Sequence, residues 1–373
     1  MKDKQVMTVC GPISPDKLGV TLCHMHVTTN VQNWYTEHKM SSGASIKDAK
    51  VSIEILGLLH MDPTSCLDNL IIDDIEMCIE ELKDLKRWGC DTIVDTCPTT
   101  LLPTRDPIGQ RKMSIASGVN IVCASGWYVA PAHPAYIKEK TVDELCDIVV
   151  EEVTKGCRYK WSPEGGYPFE ADGIKAGIIK VGVGTDPHNA FTNEDEKKCF
   201  LACCKAQVKT GRPFTVHPNV FESTLKIPIK ESCLHHYLDL MEKEGTDLEK
   251  FYMSHIDWWN DDIDLLKSLM DRGIGLSFDG FNEEEYWLGF GYGLNFDNRQ
   301  RMATMAKLIE AGYEEQLLPS CECFMKVHYK KYGGFGYSHL LEYIIPILKN
   351  AYGVSEKSIN TMLVENPKKY LAF

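Results

Sequence analysis

Short apolar runs alternate with amphipathic helical stretches along the whole chain, and this alternation limits the folds that it can adopt. Most of the helical stretches end at a glycine, such as Gly89, as helices commonly do. Repeated strand–helix units predict parallel strands joined by crossover helices, and eight units favour an α/β fold of the closed (β/α)8 TIM barrel type in a single domain, 1–373. The strand candidates are GVTLCH (19–24), TIVDT (92–96), NIVCAS (120–125), AGIIKVG (176–182), PFTVH (213–217), KFYMSH (250–255), GIGLSFD (273–279) and QLLPS (316–320).

Two long connections interrupt the rhythm of strands and helices. Residues 28–70 separate the first strand from its helix, and residues 280–298 are rich in aromatic side chains and glycine. Connections of this length in a compact domain are usually functional or mobile. We expect the second connection to cover a pocket.

The composition of the chain argues against nucleic-acid binding, membrane insertion and a structural zinc site. A formal charge of −13 opposes binding to the phosphate backbone of nucleic acids, so we expect none, and a small molecule is the expected partner. No apolar run approaches the roughly 20 residues of a membrane span, and the N-terminus lacks a signal-peptide pattern. The 15 cysteines are scattered without the spacing of a structural zinc site. They favour buried, reduced thiols in a cytoplasmic protein.

Histidines stand at the ends of several predicted strands. His24 and His26 form an HxH pair at the end of the first strand, and His217 and His255 end two later strands. Both imidazoles of an HxH pair face the same side of a strand, because side chains alternate with a period of two. The carboxyl ends of barrel strands meet at one mouth, where active sites lie. The four histidines therefore predict a metal site at that mouth.

Lys180 ends the apolar strand AGIIKVG and has two interpretations. Its long side chain can extend to water at the mouth of the barrel. Alternatively, burial lowers the proton affinity of the amine, which then reacts with carbon dioxide. The resulting carbamate is an anionic oxygen ligand that can bridge two metal ions.

Several motifs resemble the phosphotriesterase family of the amidohydrolase superfamily. The resemblance begins with TVCGPISPDKLGVTLCHMHV and extends through AGIIKVG, HPNVFE, MSHID and KYGGFGYSHLL to the closing ENPKKYLAF. The family includes phosphotriesterases, phosphotriesterase-like lactonases and phosphotriesterase-related amidohydrolases. The resemblance implies a (β/α)8 barrel with two divalent metal ions, commonly zinc, with manganese or cobalt as alternatives.

The resemblance also implies roles for the candidate residues. His24 and His26 would hold the more buried ion, His217 and His255 the more exposed ion, and carboxylated Lys180 would bridge both. Two further residues complete the implied site: Glu322, which would bind the buried ion and transfer a proton, and Tyr128, which would line the substrate cavity. For Tyr128, packing as an aromatic residue at the barrel rim is the alternative.

Two positions depart from the pattern of the family. Met25 replaces the glutamate between the two histidines, but it points away from the metal site by the period of two. Glu322 stands where the family has an aspartate, and its additional methylene changes the reach of the carboxylate. Asp279, at the end of the seventh strand, is a second candidate, either lining the pocket or taking over part of the acid's role.

The expected activity is metal-dependent hydrolysis. The favoured substrate is a lactone or carboxylic ester of a small metabolite, either neutral or anionic. The alternatives are an amidase acting on an N-acyl amino compound, a phosphotriesterase, and a metal-poor pseudoenzyme or binding protein. A homodimer is possible. A cationic stretch after the eighth strand would hold an anionic substrate group, unless it is simply a solvated loop: Lys326, His328, Lys330 and Lys331.

Overall fold

The structure is a computed structural model that describes residues 4–37, 45–158, 173–288 and 297–373. Seven parallel strands in these ranges form one curved sheet: β3 (Thr21–Met25), β6 (Thr92–Asp95), β7 (Asn120–Trp127), β8 (Ile178–Gly182), β9 (Phe214–His217), β10 (Phe251–Met253) and β11 (Gly275–Leu276). Their order across the sheet is β11-β10-β9-β8-β7-β6-β3, so each strand pairs with its predecessor in the sequence of barrel strands. Two antiparallel pairs lie outside this sheet: β1 (Val6–Thr8) with β2 (Gly11–Ile13), and β4 (Thr29–Asn30) with β5 (Ile71–Ile72).

The eighth predicted strand, 316–320, is an extended segment with a single bridge rather than a regular strand. The amides of Leu318 and Ser320 donate to carbonyl groups of the β11 segment at 2.9 and 2.8 Å. Pro319 lies between them, and its nitrogen, which faces β3, has no proton to donate. The hydroxyl of Ser320 replaces the missing contact, because it accepts from the amide of His24 at 3.0 Å and donates to the carbonyl of His24. The barrel is thus closed between β11 and β3, which confirms the (β/α)8 architecture.

Helices follow the barrel strands and cover the outside of the sheet. Polar caps start them: Thr141 and Glu144 form a capping box, and Asp74 accepts from the amide of Met77. The predicted helix end at Gly89 is confirmed, since this residue has φ +93° just after its helix. The helices are α1 (Leu56–Met61), α2 (Ile75–Arg87), α3 (Pro107–Ser117), α4 (Val142–Thr154), α5 (Glu194–Thr210), α6 (Cys233–Glu244), α7 (Ile263–Met270), α8 (Asn298–Glu310), α9 (Ile345–Tyr352), α10 (Glu356–Asn360) and α11 (Asn366–Leu371), with π-helical turns at Leu340–Ile344 and Thr361–Glu365.

The first long connection, 28–70, is folded in its described part. It contributes helix α1 and strand β4, and its apolar side chains form a separate cluster with Trp287 and Met325. Trp287 belongs to the second connection, so the two connections pack on each other. Residues 38–44 and 289–296 of these connections lie outside the described residues.

The cysteines agree with the prediction of buried thiols. All fifteen cysteines are free thiols, and fourteen of them are buried. Among the described helices, none has both the length and the apolar character that crossing a bilayer requires.

Candidate metal centre

Glu322 lies between the two histidines of the HxH pair. Its Oε1 atom is 3.5 Å from Nε2 of His24 and 3.6 Å from Nε2 of His26. The opposite ring nitrogens lie beside other groups, since Nδ1 of His24 is 2.8 Å from Oδ2 of Asp279 and Nδ1 of His26 is 3.0 Å from Sγ of Cys97. Both imidazoles therefore direct Nε2 towards the same carboxylate. Side chains from both ends of the chain meet here because the segment after Ser320 closes the barrel beside β3.

His255 joins the same cluster from the end of β10. Its Nδ1 atom is 2.8 Å from both Oδ1 of Asp279 and Oε2 of Glu322. Its backbone has φ +56°, and that of Glu322 has φ +37°, a left-handed region that non-glycine residues seldom adopt. Such backbone outliers cluster at functional sites. The turn after β10 places the imidazole of His255 over the mouth of the barrel.

Asp279 lies behind the imidazoles and is fully buried. One carboxylate oxygen is near Nδ1 of His24, and the other is near Nδ1 and the amide of His255. Carboxylates in this position fix the tautomer and orientation of metal-binding histidines. Asp279 is not among the residues that line the cavity above the cluster.

Lys180 is 2% exposed in the middle of β8, and its amine is 3.4 Å from Oγ of Ser254. Burial lowers the pKa of Lys180 to about 8, although Glu322 and Asp279 oppose this effect. The neutral amine that carbamate formation requires is therefore far more populated near neutral pH than in an exposed lysine. His217 is in the same part of the cavity, with its ring 4.5 Å from that of His255.

The charges of the cluster are strongly coupled. Burial opposes the charge of His255, but Asp279 and Glu322 outweigh it and raise the pKa of His255 to about 10. Burial also opposes ionisation of Glu322, yet His255 and His24 hold the pKa of Glu322 well below its usual range. Burial and the charge of Lys180 lower the pKa of His24 to about 3. Without a metal ion, protonated His255 thus lies between the two carboxylates, and the ammonium group of Lys180 adds a second positive charge nearby.

The donor set fits divalent metal ions. His24, His26 and Glu322 bring their ligand atoms within 4.8 Å of one another, as do His24, His255 and Asp279. In the described part of the chain, Nε2 of His255 is buried and has no hydrogen-bond partner. A buried nitrogen without a partner costs free energy, which a bound cation would recover. Imidazole and carboxylate ligands suit zinc and similar ions.

Metal binding is expected to strengthen as the pH rises, because an ion must displace the proton of His255. Below the pKa of His255, loss of one proton per metal-binding event gives about a tenfold gain in affinity per pH unit. Chelator-treated protein titrated with zinc by calorimetry between pH 6 and 8, in buffers of different ionisation enthalpy, measures the affinity and the released protons. An affinity that does not change with pH would contradict the assignment of this proton.

One cavity above the cluster collects every predicted site residue except Asp279. His24, His26, Lys180, His217, His255, Glu322 and Tyr128 all line it. The ring of Tyr128 is 5.1 Å from His217 and 6.1 Å from Trp34. The predicted cover is also present in part, because Glu283 and Trp287 of the second connection line the cavity.

The predicted anion site after the eighth strand is not part of this cavity. Its lysines pair with acidic side chains of the chain itself: Lys326 with Asp68, Lys330 with Asp84 and Glu342, and Lys331 with Asp74. His328 is buried, 3.5 Å from Glu285. The prediction that this stretch binds an anionic substrate group was wrong, because its lysines form ion pairs with acidic side chains outside the cavity.

Several residues of the site were not singled out in the sequence. Asp95 and Cys97 stand behind His26, and Ser254 stands beside Lys180. Asp95 did carry a signal, since it is the one charged residue of the second predicted strand, TIVDT (92–96), and lies next to its end. The cavity residues Glu283 and Trp34 lie in long connections, where no periodic pattern marks which side chains point inward.

The protein is an α/β barrel that carries imidazole, amine and carboxylate groups at one mouth. This combination places it in the class of TIM-barrel hydrolases. The profile of the phosphotriesterase family matches residues 4–371, and the chain belongs to this family. Its relatives include the N-acetyltaurine hydrolase of Xenopus tropicalis, which is 30% identical over 99% of this chain and 98% of the relative.

Solved structures share the fold of this chain. A resiniferatoxin-binding protein from Rhodobacter sphaeroides has a TM-score of 0.85 and 28% identity, covering 98% of this chain and 94% of that protein. The lactonase Lmo2620 from Listeria monocytogenes has a TM-score of 0.72 and 22% identity, covering 98% of each chain. At 22% identity, the similarity to the lactonase shows only that the two proteins share a fold.

Proposed function

We propose that the protein is a divalent-metal-dependent amidase that hydrolyses small N-acyl compounds. The observation that carries this proposal is the convergence of His24, His26, His255 and Glu322, with buried Lys180, at one cavity. The amide bond is favoured over the lactone because a relative aligned over nearly the full chain is named N-acetyltaurine hydrolase. Retention of the complete donor set argues against a metal-poor pseudoenzyme.

The chain supplies the site for hydrolysis through a small number of side chains. His24, His26, His217, His255, Glu322 and carboxylated Lys180 would hold two divalent ions, which would activate a water molecule and polarise the substrate carbonyl.

Glu322 is the group best placed to move a proton. It faces the cavity, and His255 and His24 outweigh the effect of burial and hold the pKa of Glu322 well below its usual range, so that the carboxylate is ionised. It takes the proton of the attacking water and delivers it to the leaving nitrogen. We assign Asp279 a positioning role, because it contacts His24 and His255 from behind and does not face the cavity.

The proposal is tested with protein purified without chelator and assayed against N-acetyl amines, lactones and aryl esters. We expect turnover of amides that is lost on chelation and restored by zinc or manganese. Metal-loaded protein that turns over none of the amides would refute the amidase function. Turnover of lactones alone would instead support the second candidate, a lactonase, which the aromatic wall at Tyr128 and Trp34 favours because such surfaces suit uncharged ring compounds.

A further inference from the structure

Aromatic side chains form part of the cavity wall above the metal centre. One group comes from the first connection and the barrel loops, where Trp34 lies 6.1 Å from Tyr128 and 6.3 Å from Phe221, between ring centroids. A second group pairs Trp287 with Phe324 at 6.3 Å in a stacked arrangement. The faces of aromatic rings carry negative electrostatic potential and attract cations. The wall is therefore apolar but favourable to positive charge.

Two carboxylates line the described part of the cavity, Glu322 and Glu283. Glu322 is a candidate metal ligand, whereas Glu283 is not. Glu283 is 4% exposed, and its backbone is fixed because its amide donates to Gly280 at 2.9 Å and its carbonyl accepts from Arg301 at 3.0 Å. The side chain is thus held at the cavity by a loop anchored on both sides. Trp287 follows four residues later and lines the same cavity.

Positive side chains are scarce in the described lining. Apart from the histidines of the metal centre, the one basic residue among the described lining residues is Lys180, and no arginine is present there. An anionic substrate group beside Glu283 would lose hydration and be repelled by the carboxylate. An ammonium group would gain both a charged hydrogen bond and contacts with ring faces.

We propose that Glu283 and the surrounding aromatic rings select N-acyl compounds whose amine part carries a second, protonated amine, that is, monoacylated diamines. This inference rests on the proposed amidase function. Water adds to the acyl carbon, the carbon–nitrogen bond breaks, and the leaving nitrogen takes up a proton, so that a carboxylic acid and a free diamine are formed. Burial and the charge of Glu322 raise the pKa of Glu283, and an ammonium group offsets both effects.

Binding of hydrolysis-resistant analogues tests this selectivity without requiring turnover. The probes are the methanesulfonamides of putrescine, pentylamine and γ-aminobutyric acid, which are similar in length and respectively cationic, neutral and anionic. Affinities are measured by quenching of tryptophan fluorescence in the metal-loaded protein. We expect the cationic probe to bind at least about tenfold more tightly than the neutral one, as one charged hydrogen bond provides.

Glu283→Gln should abolish this preference while leaving the affinity for the neutral probe within about twofold, since it removes the charge and keeps the shape. Glu284→Gln is the matched control, because Glu284 is the exposed neighbour and should keep the preference. Thermal melting of both variants verifies folding. Equal or tighter binding of the neutral or anionic probe by the wild type would overturn the inference, as would a preference that survives in Glu283→Gln.

The two proposals fail separately. Amide turnover without a preference for the cationic probe would refute the role of Glu283 alone. A preference that depends on Glu283, in a protein that hydrolyses no amide, would refute the amidase function and retain the cation-selective site.

Discussion

Glu322→Gln is expected to lower kcat/KM by about 10²–10³-fold, the range seen when one group that stabilises the transition state is removed. The carboxylate contacts His24, His26 and His255, so its loss removes both a metal ligand and the group that moves the proton. The amide of glutamine keeps the size of the side chain but is a poorer metal ligand and cannot accept a proton. We also expect the metal content to fall from about two ions per chain towards one. Elemental analysis and amide turnover measure both effects.

Asp279→Asn is the informative comparison for this variant. Asp279 contacts the histidines from behind, so its loss should weaken metal binding by about 10–100-fold and leave the stoichiometry unchanged at saturating metal. Its activity should recover when metal is added, whereas that of Glu322→Gln should not. Full activity of Glu322→Gln at saturating metal would contradict the role given to Glu322.

Lys180→Met is expected to remove the dependence of metal uptake on bicarbonate, together with most of the activity. The amine of Lys180 is buried at the centre of the site, and burial lowers its pKa to about 8, so carbon dioxide can react with the neutral form. Methionine has a similar length but cannot form a carbamate. We expect kcat/KM to fall by at least about 10²-fold, comparable to the removal of one charge-stabilising group.

The matched control is Lys175→Met, because Lys175 precedes the same strand and is only partly buried. This variant should keep the activity and the effect of bicarbonate. Metal reconstitution is measured with and without bicarbonate in carbonate-depleted buffer. If wild type and Lys180→Met load metal equally in both conditions, the side chain is an unmodified lysine that extends into the cavity.

The sequence predicted the barrel strands and the convergence of the candidate ligands because both follow from local patterns. A strand end is visible as an apolar run that stops, and His217 and His255 stand at such points, whereas Lys180 interrupts an apolar strand near its end. The eighth strand was predicted at the right place but not in its irregular form. Pro319 removes a donor on the β3 side, and only the folded structure shows that the hydroxyl of Ser320 takes its place.

Predictions from the sequence failed for side chains whose partners lie far away along the chain. Lys326 and Lys331 looked like an unpaired cationic stretch, yet their acidic partners, Asp68 and Asp74, are more than 250 residues earlier. The position of Asp279 behind two histidines could not be derived either, because it depends on the packing of β11 against the closing segment. Long-range pairing of this kind has no periodic signal in the sequence.

The candidate metal ligands and the residues of the cavity wall are carried by different parts of the fold, and this division affects how the protein can evolve. The candidate ligands are fixed by the barrel, whereas Trp34, Glu283 and Trp287 are carried by two long connections that pack on each other. Substitutions in the connections can therefore alter what the cavity accepts and leave the reaction chemistry intact. Because the two connections share one apolar cluster, we expect such changes to arise in compensating pairs, one in each connection.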